Sequence, residues 1–367
     1  MIYKQFQGLT LSALGMGTMR FPILNGDYTQ IDEALTAKMV QQAFDGGINY
    51  FDTAWFYHGG NSETVLGSIL KNYPRDSFYL ATKFPGIADE PGRGSIQEIF
   101  EKQLEKCQVE YFDFYLYHNV TENRIKMMMD PKYGIHEYLM EQKRLGRIKH
   151  LGFSTHGSLS NIKEFLDAHG SDLEFCQIQL NWLDWNLQDA KAKVELLNSY
   201  NIPIWVMEPV RGGKLVNLDP QDLEQLQALR PGITTPQWAF RFLQGVEGVT
   251  MILSGMSNEQ QLAENLETFS TVEPLNQEEL AVTMEIADWM IAKNAVPCTA
   301  CNYCVDHCPM NIPIPDVIKL YNELANGGTE QPGTPGPADC IACGQCRTHC
   351  PQGINIPGVM KAYADKL

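Results

Sequence analysis

Ten cysteines occur in the 367 residues, and eight of them fall into two short sets. Cys298, Cys301, Cys304 and Cys308 precede Pro309; Cys340, Cys343, Cys346 and Cys350 precede Pro351. Each set reads C-x2-C-x2-C-x3-C-P, the spacing by which thiolates hold a [4Fe–4S] cluster. Three cysteines wrap one cube and the fourth crosses to the other, so two clusters are expected. Zinc uses paired C-x2-4-C clips rather than a third cysteine at the same short step. Cys107 and Cys176 stand apart in helix-like and strand-like surroundings and read as core packing. Iron–sulfur ligation needs reduced thiols, which excludes a secreted disulfide framework and points to the cytoplasm.

A second group of chemistry-bearing residues lies earlier, where polar side chains close apolar runs. Short runs occur at 13–17, 50–52, 78–83, 112–118, 148–154, 175–180, 202–207 and 249–254. Amphipathic stretches separate them, among them 34–44, 62–72, 96–107, 137–145, 159–169, 189–200 and 260–269. Apolar strands alternating with helices predict a parallel sheet covered by helices. Eight such units suit an α/β fold of the (β/α)8 TIM-barrel type, in which functional groups gather at the C-terminal strand ends. Asp52, Lys83, His118 and Ser154 sit at such ends, with Gln177 and Gln179 on the sixth strand and Glu208 and Ser254 at the last two. A dinucleotide-binding open sheet would need G-x-G-x-x-G after the first strand, and LGMGTM lacks it.

Composition narrows the class further. The chain is 44% hydrophobic, enough for a large core and a smaller unit, and carries a formal charge of −16. That charge argues against a nucleic-acid partner. No apolar run is long enough to span a membrane, and the N-terminus lacks the pattern of a signal peptide.

DTAWFY (Asp52–Tyr57), TKF around Lys83 and LYHN around His118 resemble the aldo-keto reductase superfamily. The resemblance covers residues 1 to about 275 and carries that family's Asp, Tyr, Lys, His tetrad in order. It implies a reductase passing hydride from a nicotinamide to an aldehyde or ketone, or the reverse oxidation of the alcohol. The residue types suit that chemistry. Hydride attack on a carbonyl leaves an alkoxide that needs a proton and an electrostatic partner. Tyr57 would supply the proton, although a free phenol of pKa ~10 is a reluctant acid. The ammonium of Lys83 would lower that pKa by stabilising the phenolate. Asp52 would keep Lys83 charged and oriented, and His118 would orient the carbonyl oxygen.

The same resemblance implies nucleotide contacts. Ser154 and Gln177 would hold the nicotinamide carboxamide, with Gly17 and Thr18 nearby and Met207 in place of the family's stacking aromatic. Glu208, Val210, Arg211 and Gly212 lead into a loop whose glycines and cations suit a pyrophosphate. Ser254, Glu264 and Asn265 would border the adenosine. No Lys or Arg lies between Arg241 and Lys293, whereas nine Asp or Glu do. A ribose 2′-phosphate would meet no local cation there, so NADP(H) is not expected to be strongly preferred over NAD(H). Trp55, Phe56, His58, Trp182 and Trp185 could line a substrate pocket, with Arg124 and Met127 to Met129 as a wall.

Beyond a connecting segment at 276–295, residues 296–367 repeat with a shift of 42 positions. His307 matches His349, and Ile312, Ile314 and Pro315 match Ile354, Ile356 and Pro357. After each C-P the pattern becomes helical, which resembles the helical two-cluster ferredoxin modules of respiratory subunits; the glycine- and proline-rich 326–338 reads as a loop. A nicotinamide gives two electrons as hydride whereas each cluster takes one, so direct exchange needs an intermediary such as a flavin. Three readings follow: a nicotinamide-dependent reductase with an accessory cluster unit; a flavin-linked enzyme fed through the clusters by an outside redox protein; or a cofactor-sensing regulatory subunit. The first is preferred; the missing 2′-phosphate cations favour the second, and the intact tetrad argues against the third, since a sensor need not keep Tyr57 and Lys83.

Overall fold

The computed structural model describes residues 1–87, 94–293, 296–325 and 328–367. A hairpin, β1 (Tyr3–Phe6) and β2 (Leu9–Ser12), opens the chain and is followed by β3 (Leu14–Gly17), α1 (Glu33–Asp45) and β4 (Tyr50–Asp52). Next come α2 (Ser62–Leu70), β5 (Tyr79–Phe84), α3 (Ile96–Cys107), β6 (Phe112–Tyr117), α4 (Ile125–Met129), α5 (Ile135–Arg144) and β7 (Ile148–Thr155). Then follow α6 (Leu159–His169), β8 (Cys176–Gln179), α7 (Asp184–Leu187), α8 (Ala190–Ser199) and β9 (Ile204–Met207). α9 (Pro220–Leu229), α10 (Thr235–Gln244), β10 (Val249–Gly255) and α11 (Glu259–Thr268) complete the series. Strands β3 to β10 pair in parallel and close in the order β10-β3-β4-β5-β6-β7-β8-β9. The barrel expected from the alternating pattern is therefore present, with strand limits within about two residues of those read from sequence.

Alternation along each strand decides which side chains enter the barrel. Tyr50, Ala81, Phe114, Leu116, Phe175, Trp205, Met251 and Leu253 form one buried interior cluster. Two residues further on, the same faces carry Asp52, Lys83, His118, Gln177 and Met207. Ser254 alternates with Leu253, and its hydroxyl meets Asn265 Nδ2 on α11 at 3.1 Å. The hairpin contributes Phe6, whose ring meets those of Phe114, Phe175 and Trp205 at 5.8, 6.3 and 5.0 Å. The sequence did not reveal this hairpin, because YKQF is mostly exposed and has no apolar run.

Two compact units result: Met1–Pro209 with Pro236–Asn276, and Val210–Thr235 with Gln277–Leu367. The second unit holds α12 (Gln277–Lys293), α13 (Ile314–Ala325), α14 (Gln345–His349) and α15 (Ile356–Ala364). Its core comprises Ile312, Ile314, Ile354, Ile356, Met360 and Tyr363 among others. The repeat persists in the backbone: Ala300, Asn302 and Asn311 share positive φ with Ala342, Gly344 and Gly353. Parts of the expected segments 276–295 and 326–338 lie outside the described residues.

Helices α2 and α3 meet at Gly67, where an added Cβ would stand 2.6 Å from the Cys107 and Lys106 carbonyl oxygens. Alanine gains about 1 kcal/mol of helix propensity over glycine, whereas overpacking against backbone costs about 1–3 kcal/mol. Gly67→Ala is therefore expected to lower the midpoint of thermal unfolding; a raised midpoint would show that the helices separate freely.

Candidate active site and cluster sites

The centre of the barrel site is an ion pair. Lys83 Nζ lies 2.6 Å from Asp52 Oδ1 and donates to the Thr53 carbonyl at 2.8 Å. Their side chains are 1% and 3% exposed. Burial lowers the Lys83 pKa and raises that of Asp52, and in each case the partner's charge opposes the change. At this separation the partner and the carbonyl replace much of the lost hydration and so favour the ionised pair. The ammonium lies 5.1 Å from the centroid of the Tyr57 ring. The His118 ring stands edge-on to Tyr57, with centroids 6.3 Å apart at 86°.

A second network, which the sequence did not disclose, fixes the outer face of β5. Buried Glu63 accepts from Thr82 Oγ1 and Gln103 Nε2, each at 2.7 Å, and from Lys106 Nζ at 2.7 Å. Gln103 also donates to the Lys83 carbonyl at 2.9 Å and accepts from the Tyr115 hydroxyl at 2.6 Å. Glu63 thus acts on Lys83 through its backbone, and its negative charge also favours the ammonium. Its only sequence signal is a carboxylate on the amphipathic stretch after Tyr57, which many solvated helices share.

His118 is neutral. Burial first, then the positive charges of Lys83 and Arg124, hold its pKa well below the ordinary value. Its Nδ1 is buried with no hydrogen-bond partner among the described residues. Gln177 is 2% exposed, and its Oε1 is likewise without a partner. Ser154 Oγ accepts from the Asn119 amide at 2.9 Å. An unsatisfied amide oxygen beside a serine hydroxyl on adjacent strands suits a carboxamide. Gly17 pairs with Asp52, and an added Cβ there would meet only the Ser254–Gly255 backbone at 3.5 Å or more. Thr18 is turned to Ser62, Oγ to Oγ 2.6 Å.

At the expected adenosine side, Asn265 is tied to Ser254, and Glu264 accepts from Gln260 at 2.8 Å. Cations absent from the local sequence arrive from elsewhere in the chain. Arg20 runs along Gly255, and Lys38 pairs with Glu259 at 2.9 Å. Met207 ends β9, and Glu208 follows at positive φ with its carbonyl bound by Asn181. Val210, Arg211 and Gly212 belong to the second compact unit, where Arg211 Nη2 donates to the Pro297 carbonyl at 3.3 Å. His58, expected on a pocket wall, is instead buried, with its ring nitrogens on Tyr28 O and Thr18 O at 2.7 and 3.1 Å. Phe56 stands 6.2 Å from His118, Trp55 packs under Lys106, and Arg124 reaches the Pro85 carbonyl.

The eight motif cysteines form two crossed sets. Cys304 is crowded by Cys301, Cys350 and Cys298, and Cys346 by Cys340, Cys343 and Cys308. Cys308, Cys340, Cys343 and Cys346 also line one cavity with Ile341 and Met310. Burial, then the neighbouring sulfurs, pushes the Cys346 thiol up to about 11. Four thiols can deprotonate together only around a positive centre, which suits a cluster. Among the described residues no three His, Cys, Asp or Glu converge on a single-ion position; a cube of four irons holds its thiolates farther apart than one ion does. The His307 and His349 rings stack 3.4 Å apart at 9°, bringing the repeats together.

A closed parallel barrel followed by a 4Fe-4S dicluster domain is the architecture of an oxidoreductase. The aldo/keto reductase family pattern matches residues 13–288, and a 4Fe-4S dicluster domain matches 297–354. The chain belongs to the aldo/keto reductase family. It is 29% identical over 217 residues to a probable aldo-keto reductase of Glycine max, covering 56% of this chain and spanning 58% of that relative. It is 25% identical over 303 residues to the NADH-specific methylglyoxal reductase of Escherichia coli, covering 70% and 90% of the two chains. Its fold is similar to that of an aldo-keto reductase of Bacillus halodurans, with TM-score 0.63 and 24% identity over 77% of this chain and 95% of the other. Among the described residues no helix is long and apolar enough to cross a membrane.

Histidine burial predicts an acid limit to stability. Burial, then the charge of Lys193, lowers the His156 pKa to about 4. The unfolded chain takes up a proton near pH ~6.5 that the folded chain refuses. Stability should therefore fall on acidification below that point, by up to about 1.4 kcal/mol per pH unit for each such group. His156→Asn should flatten this slope between pH 6.5 and about 4, as read from denaturant unfolding at stepped pH. An unaltered slope would contradict the assignment.

Proposed function

We propose that the barrel reduces an aldehyde or ketone, or oxidises the corresponding alcohol, with NADH as cofactor. The placement of Tyr57 beside the paired Lys83 ammonium carries this reading. The nicotinamide, when bound, supplies hydride to the carbonyl carbon. Tyr57 delivers a proton to the substrate oxygen, and Lys83 stabilises the phenolate left behind. Asp52 keeps Lys83 charged. Neutral His118 directs a ring hydrogen bond to the carbonyl oxygen and so orients it. Ser154 and Gln177 would hold the carboxamide of a bound nicotinamide, and Met207 would border its ring. Ser254, Glu264 and Asn265 border the adenosine.

The iron–sulfur unit takes no part in the hydride step, because each cluster accepts a single electron. It serves as an accessory unit that meets an outside redox protein in the cytoplasm. The choice of NADH over NADPH rests on the Lys38–Glu259 pair and the five carboxylates at 247, 259, 264, 267 and 273, against which Arg20 beside Gly255 is the opposing cation. The name of the Escherichia coli relative agrees with that choice.

Tyr57→Phe should lower kcat for NADH-dependent carbonyl reduction by ~10²–10⁴-fold, the range of a lost general acid, while NADH affinity holds. Full activity in that variant would remove Tyr57 from the mechanism. Fluorescence titration should also show NADH binding at least as tightly as NADPH; tight, NADPH-selective binding would overturn the cofactor choice.

A further inference from the structure

We propose that residues 210–214 cap the first iron–sulfur cluster, and that Arg211 is a positioning residue which raises that cluster's reduction potential. The inference rests on the reading of Cys298, Cys301, Cys304 and Cys350 as ligands of that cluster. It differs from the pyrophosphate role that composition alone suggests for this loop.

Arg211 is 1% exposed. Its Nη2 donates to the carbonyl of Pro297, the residue before Cys298. The chain makes this approach through consecutive positive φ at Arg211, Gly212 and Gly213 of 50, 63 and 95°. Left-handed backbone is unfavourable for arginine, so the surroundings must hold it there. Lys214 turns back to bond the Arg211 carbonyl at 3.1 Å. It is electrostatically coupled to both Arg211 and Cys298. The segment is fastened into its unit further along. Arg230 grips Glu279 of α12 at 2.7 and 3.0 Å, and Lys293 reaches Asp219 at 2.8 Å.

The second half of the repeat supplies an internal control. Thr299 follows Cys298 and is 2% exposed, whereas its repeat partner Ile341, after Cys340, is 61% exposed. Cys301 is half-buried, and its counterpart Cys343 is exposed. The first ligand loop is therefore less exposed than the second, and among the described residues only the first has an arginine bonded to the residue before its leading cysteine. Reduction adds one electron and no proton to an already anionic cluster. A buried guanidinium nearby stabilises the added charge more than solvent screening allows at the more exposed cluster.

The test is an anaerobic redox titration of the full-length holoprotein, followed by electron paramagnetic resonance. Arg211→Gln should shift one cluster's reduction equilibrium about tenfold toward the oxidised form, about 59 mV for a one-electron couple. The other cluster should not move, and NADH affinity should stay within about twofold. Ile341→Lys should raise the other wave, which assigns the two. Arg211→Lys keeps the charge and should retain the wild-type potential even if Arg211→Gln folds poorly. Unmoved potentials together with weakened NADH binding in Arg211→Gln would overturn the proposal in favour of a pyrophosphate clamp. Wild-type protein that binds no iron would refute the ligand reading itself, and with it this inference.

Discussion

A lysine ammonium held inside a barrel is the constraint on which the catalytic half depends. Removing such a charge from water costs several kcal/mol unless it is paired and hydrogen-bonded. Asp52 and the Thr53 carbonyl meet that requirement at 2.6 and 2.8 Å. They can do so because β4 and β5 are adjacent and in register, with Asp52 opposite Ala81 and Lys83 two residues further on. The outer side of the same strand is fixed by Thr82, Glu63 and Gln103, which in turn requires α2 and α3 to approach closely at Gly67. The Asp52–Lys83 pair is thus a property of the closed sheet and of helices α2 and α3 rather than of isolated side chains.

The second unit answers to a different constraint. Its buried core is small, and its two cysteine sets exchange their fourth members, Cys308 and Cys350. Ligation would therefore tie the two halves of the repeat to each other as well as to iron, so cluster assembly and folding are linked. The loop after β9 and α9 joins this unit rather than the barrel unit. Within that unit, Arg211 bonds the carbonyl of Pro297, just before the first cysteine set.

Most of the architecture was legible because the repeating signals were strong. Eight apolar runs with helices between them announced the barrel, and the C-x2-C-x2-C-x3-C-P spacing announced the 4Fe-4S dicluster domain. Asp52, Lys83 and His118 stood out because polar residues close apolar strands. What remained hidden was created by tertiary proximity. Glu63 looks like any helix carboxylate until Thr82, Gln103 and Lys106 surround it. Arg20 lies far along the chain from Gly255, so counting cations between Arg241 and Lys293 could not register it. The strand at Tyr3–Phe6 has too few apolar residues to signal itself, and Phe6, with Leu11 of the paired strand, ties the hairpin to the barrel core.

The central claim is that a carbonyl is reduced by direct hydride transfer within the barrel and not by single electrons through the clusters. It is tested most directly by turnover with NADH deuterated at the transferred position, in ordinary water, with mass spectrometry of the alcohol formed. Direct transfer within the barrel places one deuterium on the former carbonyl carbon of each product molecule. Product carrying hydrogen from solvent at that carbon, formed while the clusters cycle between oxidation states, would contradict it.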